Sequence, residues 1–240
     1  MARARIKRVS EATRRRVAGP VSDAAKLARS SVSAASEEAG GARAKRGAAR
    51  RDAILAAALE EISARGFEAA RLDDVARRAG IAKGTIYLYF SDKEALFQEL
   101  VRSYISPVVG AIEHVSHVDA PIRVIFEQFA ELFVREIVET RRKDIIRLVL
   151  SEGPRFPKLA EFYFREVISR ALVAVRGVLR RAFERGEISN DALVCFPQLL
   201  IAPGLVAIMW KSLFDRFEPL DVRAMLRAHF EFIFGTGRVT

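Results

Sequence analysis

The chain has 240 residues, with 40 Lys and Arg against 30 Asp and Glu, for a formal net charge of +10. That length allows one domain or two small ones and is enough to bury a sizeable core. The one cysteine, Cys195, excludes an internal disulfide framework and a cysteine-rich zinc site, and three histidines (His114, His117 and His229) leave little for metal or triad chemistry.

The charge is concentrated at one end. Residues 1–50 carry 13 Lys/Arg and 4 Asp/Glu, whereas residues 51–240 carry 27 and 26. The first segment has no Phe, Trp or Tyr and few large aliphatics. Such a stretch buries too little apolar area to offset the entropy of ordering it, which predicts a disordered basic tail over 1–48. Three readings of the tail stay open: an organelle transit peptide, an arm that binds nucleic-acid phosphates, or a solvated extension. The absence of an apolar run of roughly 7–15 residues argues against a secretory signal.

From about Arg50 the texture changes. Ile54, Leu55, Ala58, Leu59 and Ile62 recur at steps of three and four, the stripe of an amphipathic helix, and Gly66 is a natural stop. After a short loop from Phe67, Leu72, Val75, Ala76 and Ala79 mark a second helix. Asp73 and Asp74 lie in its first turn, where carboxylates suit the positive helix end, and Gly80 ends it. A third helix is expected over 82–89, with Ile86 and Tyr89 facing inward. Ser91, with Glu94 three residues on, reads as the capping box of a fourth helix, along which Phe97, Val101, Tyr104 and Val108 repeat until Pro107 kinks or ends it.

The remainder also reads as helix. Stripes run through Ile122, Phe126, Phe129 and Phe133, then Ile145, Leu148 and Val149. A long one follows through Phe164, Ile168, Leu172, Val175, Leu179 and Phe183, and a last one through Val222, Leu226, Phe230 and Ile233. Strand-length alternation is absent, so the class is all-α. Residues 192–210 carry no charge over 19 positions, the length of a membrane span, but Pro197, Gln198, Pro203 and Gly204 favour a buried core or dimer helix. Glu152-Gly-Pro-Arg-Phe-Pro157 is the most punctuated stretch, readable as a rigid inter-helix turn or as a pocket gate.

Residues 72–90 have the spacing of a helix-turn-helix. Ala76 lets two helices approach, Gly80 supplies the left-handed turn, and Val75, Ala79, Ile81, Ile86 and Tyr89 pack the pair. The second helix then projects Lys83, Thr85 and Leu88 outward, toward a DNA major groove. In particular, GIAKGTIYLYFSDKEAL resembles the signature of the TetR family of bacterial transcriptional regulators, and the helix ending in Gly66-Phe67 fits the same N-terminal domain. The resemblance covers roughly residues 50–100. Two positions depart from the family pattern: Arg71 stands where a Ser or Thr cap is usual, and Ala82 where Ser is usual.

The resemblance implies a helix-turn-helix DNA-binding domain over 49–98 and a helical effector-binding and dimerisation domain over 99–240. Among the candidate DNA contacts, Thr85 would meet a phosphate or base and Gly84 would let the backbone come close. Tyr87 and Tyr89 would place hydroxyls on phosphates, and Lys93 would pair with a phosphate at the start of the fourth helix. Lys83 is the candidate for a base edge, since lysine donates to guanine. The alternative for the two tyrosines is packing, and for the two lysines a solvated surface.

The implied partners are a near-palindromic double-stranded operator, a second copy joined through about 191–214 and 220–234, and a small, apolar effector, with no membrane. Pocket candidates are Tyr104, Phe129, Phe133, Tyr163, Phe164 and Trp210, each with core packing as its alternative. No nucleophile–base pair or phosphate loop is present, and His114 with His117 lacks enough carboxylate partners, so no enzyme, cofactor or metal is expected. The expected protein is a repressor, cytoplasmic and on the nucleoid, that leaves its operator when the effector binds. A constitutive DNA-binding protein without an effector is the rival.

Overall fold

The computed structural model describes the backbone of residues 21–189 and 191–235 and the side chains of 41, 45–189 and 191–235. It divides into two compact units, 1–52 and 53–240. In the first, residues 1–20 of the expected tail lie outside the described residues, but from Val21 the backbone is helical. This departs from the disorder expected over 21–48. That segment holds nine alanines, and intrinsic helix propensity needs no buried face.

The second unit is all-α. The helix α1 (Val21–Ala69), which belongs to this unit from Ala53 on, is interrupted at Gly66, whose φ of 80° marks the left-handed stop read from the sequence. Short helices α2 (Leu72–Arg78) and α3 (Lys83–Ile86) follow. The third helix is thus shorter than the expected 82–89, its continuation being turn.

Next, α4 (Lys93–Leu100) runs through a π-turn at Val101–Ile105 into α5 (Ser106–Ser116). Pro107 does not end this helix. Ser106 N–H reaches Val101 O, five residues back, so the ladder is already shifted where the proline nitrogen cannot donate. The cap of α4 is also one residue later than expected. Asp92 accepts from Ala95 N–H at 2.7 Å, while the Ser91 hydroxyl donates to Asp92 at 3.0 Å.

The rest is α6 (Ile122–Phe133) with a π-turn at Val134–Val138, α7 (Arg142–Glu152), then α8 (Pro157–Tyr163) joined by a π-turn at Phe164–Ile168 to α9 (Ser169–Glu184). Short α10 (Ala192–Cys195) precedes α11 (Gln198–Leu213) and α12 (Val222–Phe234). Within this set α5 packs along α9, α6 along α12, and α11 lies beside both α7 and α12.

Pro203 sits inside α11, where it cannot bond the carbonyl of Leu199. His229 Nε2 of α12 lies 3.1 Å from that oxygen and takes the lost donor's place. The Phe196–Pro197 break divides the uncharged 192–210 segment, and among the described residues no helix is long and apolar enough to cross a membrane.

One buried cluster runs without interruption from Ile54 through Phe67, Ile86 and Phe97 to Ile145, Leu159 and Ile208. Its joint lies where α1 stops. The Phe67 ring is fully buried, edge-on to Phe97 at 5.9 Å and to Phe156 at 5.1 Å. Phe156 belongs to the Glu152–Pro157 stretch, which is a compact turn: Arg155 and Phe156 N–H both bond Glu152 O at 2.9 Å. A Cβ at Gly153 would stand 2.5 Å from Val149 O, so only glycine closes this turn.

Candidate nucleic-acid interface

Helices α2 and α3 form a bihelical unit whose turn is specified residue by residue. Gly80 has φ +66°, Ile81 N–H bonds Ala76 O at 3.0 Å, and Gly80 N–H bonds Arg77 O at 3.2 Å. These two bonds satisfy the last carbonyls of α2 and reverse the chain. Val75, Ala76 and Ile86 are buried against α1 and α4, with Ile81 and Tyr89 packed at the edge. Ala79 is packed on the same cluster. Neither Arg71 nor Ala82, the residues at the two unusual cap positions, makes a side-chain cap bond.

With Ile86 turned inward, α3 and the turn that follows it present Lys83, Gly84, Tyr87 and Leu88 to solvent, and Leu88 is 84% exposed. Thr85 is half-buried beside them. A Cβ at Gly84 would meet nothing within 4 Å, so the protein's own packing does not require glycine there. Tyr89 differs from the other candidates. It is half-buried, packs on the core and lies 6.4 Å from the Phe90 ring, which makes it a packing residue.

The electrostatics of this face centre on Asp73, which the sequence reading placed only at a helix end. Lys83 Nζ is 2.7 Å from one carboxylate oxygen, and the Tyr87 hydroxyl donates to the other at 3.3 Å. The Lys83 hydrogen bond and charge hold the Asp73 carboxyl below its ordinary range and raise the Lys83 ammonium above its own. Asp73 thus ties the first residue of α3 and the residue that caps it to α2. No local pattern showed this, because the chain reverses between the partners.

Lys93 is placed elsewhere. Its ammonium donates to Phe67 O at 3.2 Å and Glu68 O at 3.0 Å, and lies 4.9 Å from the Phe67 ring centre and 5.6 Å from that of Phe156. Instead of standing open at the start of α4, it ties down the segment after Gly66. Most other cations of residues 51–98 are engaged as well. Arg65 pairs with Glu61 and Asp74, Arg77 with Asp74, and Arg78 with Glu60 and the buried Glu61.

The six aromatic pocket candidates are not brought together. Phe129 and Phe133 line a cavity of about 140 Å³ with Phe126, Val175, Gly204 and Phe230, and Phe133 packs 3.1 Å from where a Cβ at Gly204 would stand. Tyr104 and Tyr163 belong instead to the core that contains Phe67, and burial pushes the Tyr163 hydroxyl's pKa up. Phe164 is 55% exposed, and Trp210 packs on Phe214 and donates to Glu218 O at 2.8 Å. Among the described residues no group of His, Cys, Asp and Glu could hold a metal, and His117 Nδ1 lies 2.6 Å from Glu113 O.

A helical unit of this geometry, followed by a larger helical half, defines the class. Residues 54–100 match the profile of bacterial regulatory proteins of the tetR family, and residues 125–194 match that of the AefR-like transcriptional repressor C-terminal domain. The chain is 35% identical over 100 residues to the uncharacterized HTH-type transcriptional regulator YvdT of Bacillus subtilis, covering 41% of this chain and 50% of that one. It is 30% identical over 131 residues to the HTH-type transcriptional regulator RutR of Escherichia coli, covering 55% and 54%. The matched region spans about half the length of these relatives.

The fold is similar to that of the Bacillus subtilis regulator FadR solved with stearoyl-CoA, with a TM-score of 0.63, 21% identity, and coverage of 78% of this chain and 98% of that one. The chain belongs to the TetR family of transcriptional regulators, whose members are regulators and not enzymes.

Proposed function

We propose that this chain is a sequence-specific DNA-binding regulator, a homodimeric repressor released from its operator by a small apolar effector. The observation that carries the reading is the exposed face of α3. Lys83, Tyr87 and Leu88 project from a short helix and its following turn, locked by Gly80 and Ile86, and Gly84 has no internal reason to be glycine. Phosphate contacts from Thr85 and Tyr87 would set the register, and Lys83 would read a base edge. Lys93 would support this face from behind by holding the segment after Gly66.

The dimer is proposed through α11 and α12. On α11, Leu199, Leu205, Val206, Met209 and Leu213 are exposed at steps of three, four and seven, and Phe232 of α12 is 88% exposed. An apolar stripe of that length on a water-soluble surface is a contact seam. Sedimentation of the pure protein should give twice 26.8 kDa at micromolar concentration, and Met209→Glu should give the monomer. A monomeric parent would remove the dimer from this reading.

The cavity lined by Phe129 and Phe133 is the effector site in this proposal. At about 140 Å³ it holds a group of roughly benzene's size, and its wall is apolar throughout. The acyl-CoA bound by FadR is far larger, so a ligand of that kind would require the helices to part.

Selection of bound duplexes from a random pool is the test of DNA reading. It should enrich a near-palindrome with half-sites about one helical turn apart. On the selected site Lys83→Ala should lose roughly tenfold in affinity and relax discrimination at one position. No enrichment, or Lys83→Ala binding like the parent, would place the DNA face elsewhere. Titrating ligand against the complex separates an effector-released repressor from a constitutive binder.

A further inference from the structure

On the α3 face one carboxylate already occupies the acceptor's place. We infer that Asp73 is a built-in competitor for DNA: it holds Lys83 and Tyr87 in the free protein and surrenders both when a duplex binds, which lowers affinity for every sequence. The inference rests on the reading of α3 as the DNA-binding face and adds the residue that restrains it.

The geometry is that of an anion site filled from within. Lys83 Nζ lies 2.7 Å from one oxygen of Asp73, and the Tyr87 hydroxyl donates to the other at 3.3 Å. Lys83 opens α3 and Tyr87 caps its other end, four residues on and so on the same side. An ammonium and a hydroxyl converging on one carboxylate are the donors that would otherwise meet a phosphate or a guanine edge.

Two features make Asp73 a competitor of DNA instead of a support for its neighbours. First, it shares the open surface with them. The side chains of Lys83 and Asp73 are 70% and 38% exposed, and Tyr87 is exposed beside them. A DNA oxygen on Lys83 Nζ would stand about 5 Å from the Asp73 oxygen, the spread of two hydrogen bonds to one nitrogen. At that range the charge of a phosphate and that of the carboxylate repel strongly.

The second feature is the proton count. The Tyr87 hydroxyl has a single proton and gives it to Asp73. A phosphate oxygen only accepts, so Tyr87 reaches one by letting Asp73 go. The start of α2 keeps a carboxylate without Asp73, because Asp74 lies in the same first turn, against Arg65 and Arg77. An exposed ion pair is weak in the free chain, so DNA can break it, yet breaking it still subtracts from the affinity.

The test compares the full-length parent, Asp73→Asn, Lys83→Ala and the double variant on a selected duplex and on an unrelated one, across a salt series. Asp73→Asn should bind both duplexes about tenfold more tightly, with two pairs per dimer at up to roughly fivefold each. Its plot of log affinity against log salt should steepen by about 1 to 2 units, since one more cation per protomer displaces counterions. Simple repulsion of DNA by the carboxylate would give the same gain with or without Lys83. Exchange predicts a gain in the Lys83→Ala background no more than about a third as large. Asp73→Glu, which keeps the carboxylate, should keep the parent's slope. Should Asp73→Asn fail to fold, Asp73→Ser takes its place, serine being well tolerated at a helix start.

The inference and the reading beneath it fail differently. If no sequence is enriched, or Lys83→Ala binds like the parent, the α3 reading falls and the inference with it. If Lys83→Ala loses affinity, three results overturn the inference alone. These are an Asp73→Asn variant that binds no better than the parent, one that gains equally in both backgrounds, and an Asp73→Glu variant that behaves like Asp73→Asn.

Discussion

Replacing Phe67 with alanine should cost about 3–5 kcal/mol of unfolding free energy, the range for a fully buried phenylalanine. Its ring has no exposed surface and meets Phe97, Phe156 and the Lys93 ammonium at one point. For a chain of this size the unfolding midpoint should fall by roughly 10 °C. Leu88→Ala, at an 84% exposed site, should leave the midpoint within about a degree, because surface changes of this kind stay near zero. A double-mutant cycle with Phe156→Ala should give a coupling of about 0.5–1.5 kcal/mol, the worth of an edge-on aromatic pair. A loss below 1 kcal/mol for Phe67→Ala would mean that the joint after Gly66 is not packed as described.

The second large effect belongs to the basic N-terminal segment. Deleting residues 1–46 should flatten the plot of log affinity against log salt by roughly 3 to 4 units, if the segment neutralises about four phosphates per dimer. The charge count over residues 51–98 is seven basic to eight acidic, and the side-chain geometry strengthens the argument. Arg65, Arg77, Arg78 and Lys83 are each paired with a carboxylate, and Lys93 is bound to two carbonyls. A DNA-binding face with so much of its charge answered internally needs cations from elsewhere, and 13 of the chain's 40 lie in residues 1–50. Discrimination between sequences should change much less, since the proposed base readout is on α3. An unchanged slope would identify the segment as a solvated extension.

The legible parts of the fold were those fixed by near neighbours in sequence. Gly66, Gly80, Val75, Ala76 and Ile86 do what their spacing says, because helix stops and i, i+4 faces are local matters. Where two local solutions compete, the sequence is ambiguous: Ser91 and Asp92 both suit an N-cap, and the backbone settles on Asp92. The π-turns left no comparable trace. The one at Phe164–Ile168 adds a residue to the ladder and rotates the stripe that starts at Phe164, so Phe164 faces water while Val175 and Leu179 are buried. The candidate DNA face was half legible. Lys83 and Leu88, which the spacing turns outward, are exposed and Thr85 is half-buried, but the partners of Lys93 lie 25 and 26 residues away and no periodicity reaches that far. The aromatic cavity draws Phe126, Gly204 and Phe230 from three separate helices, which only the packing brings together.

The seating of Phe67 against Phe156 bears on how such a protein can be taken apart. Residues 53–98 have the look of a portable reading head, yet the core at their inner end is completed by a ring almost ninety positions downstream, in a turn that only Gly153 allows. A chimera that grafts this head onto a foreign helical half would carry a hole beneath Phe67 and two carbonyls held by a lysine with half its aromatic support gone. The natural unit of exchange is therefore the head together with the turn at 152–157. Recombination in this architecture has to inherit both pieces or rebuild the second.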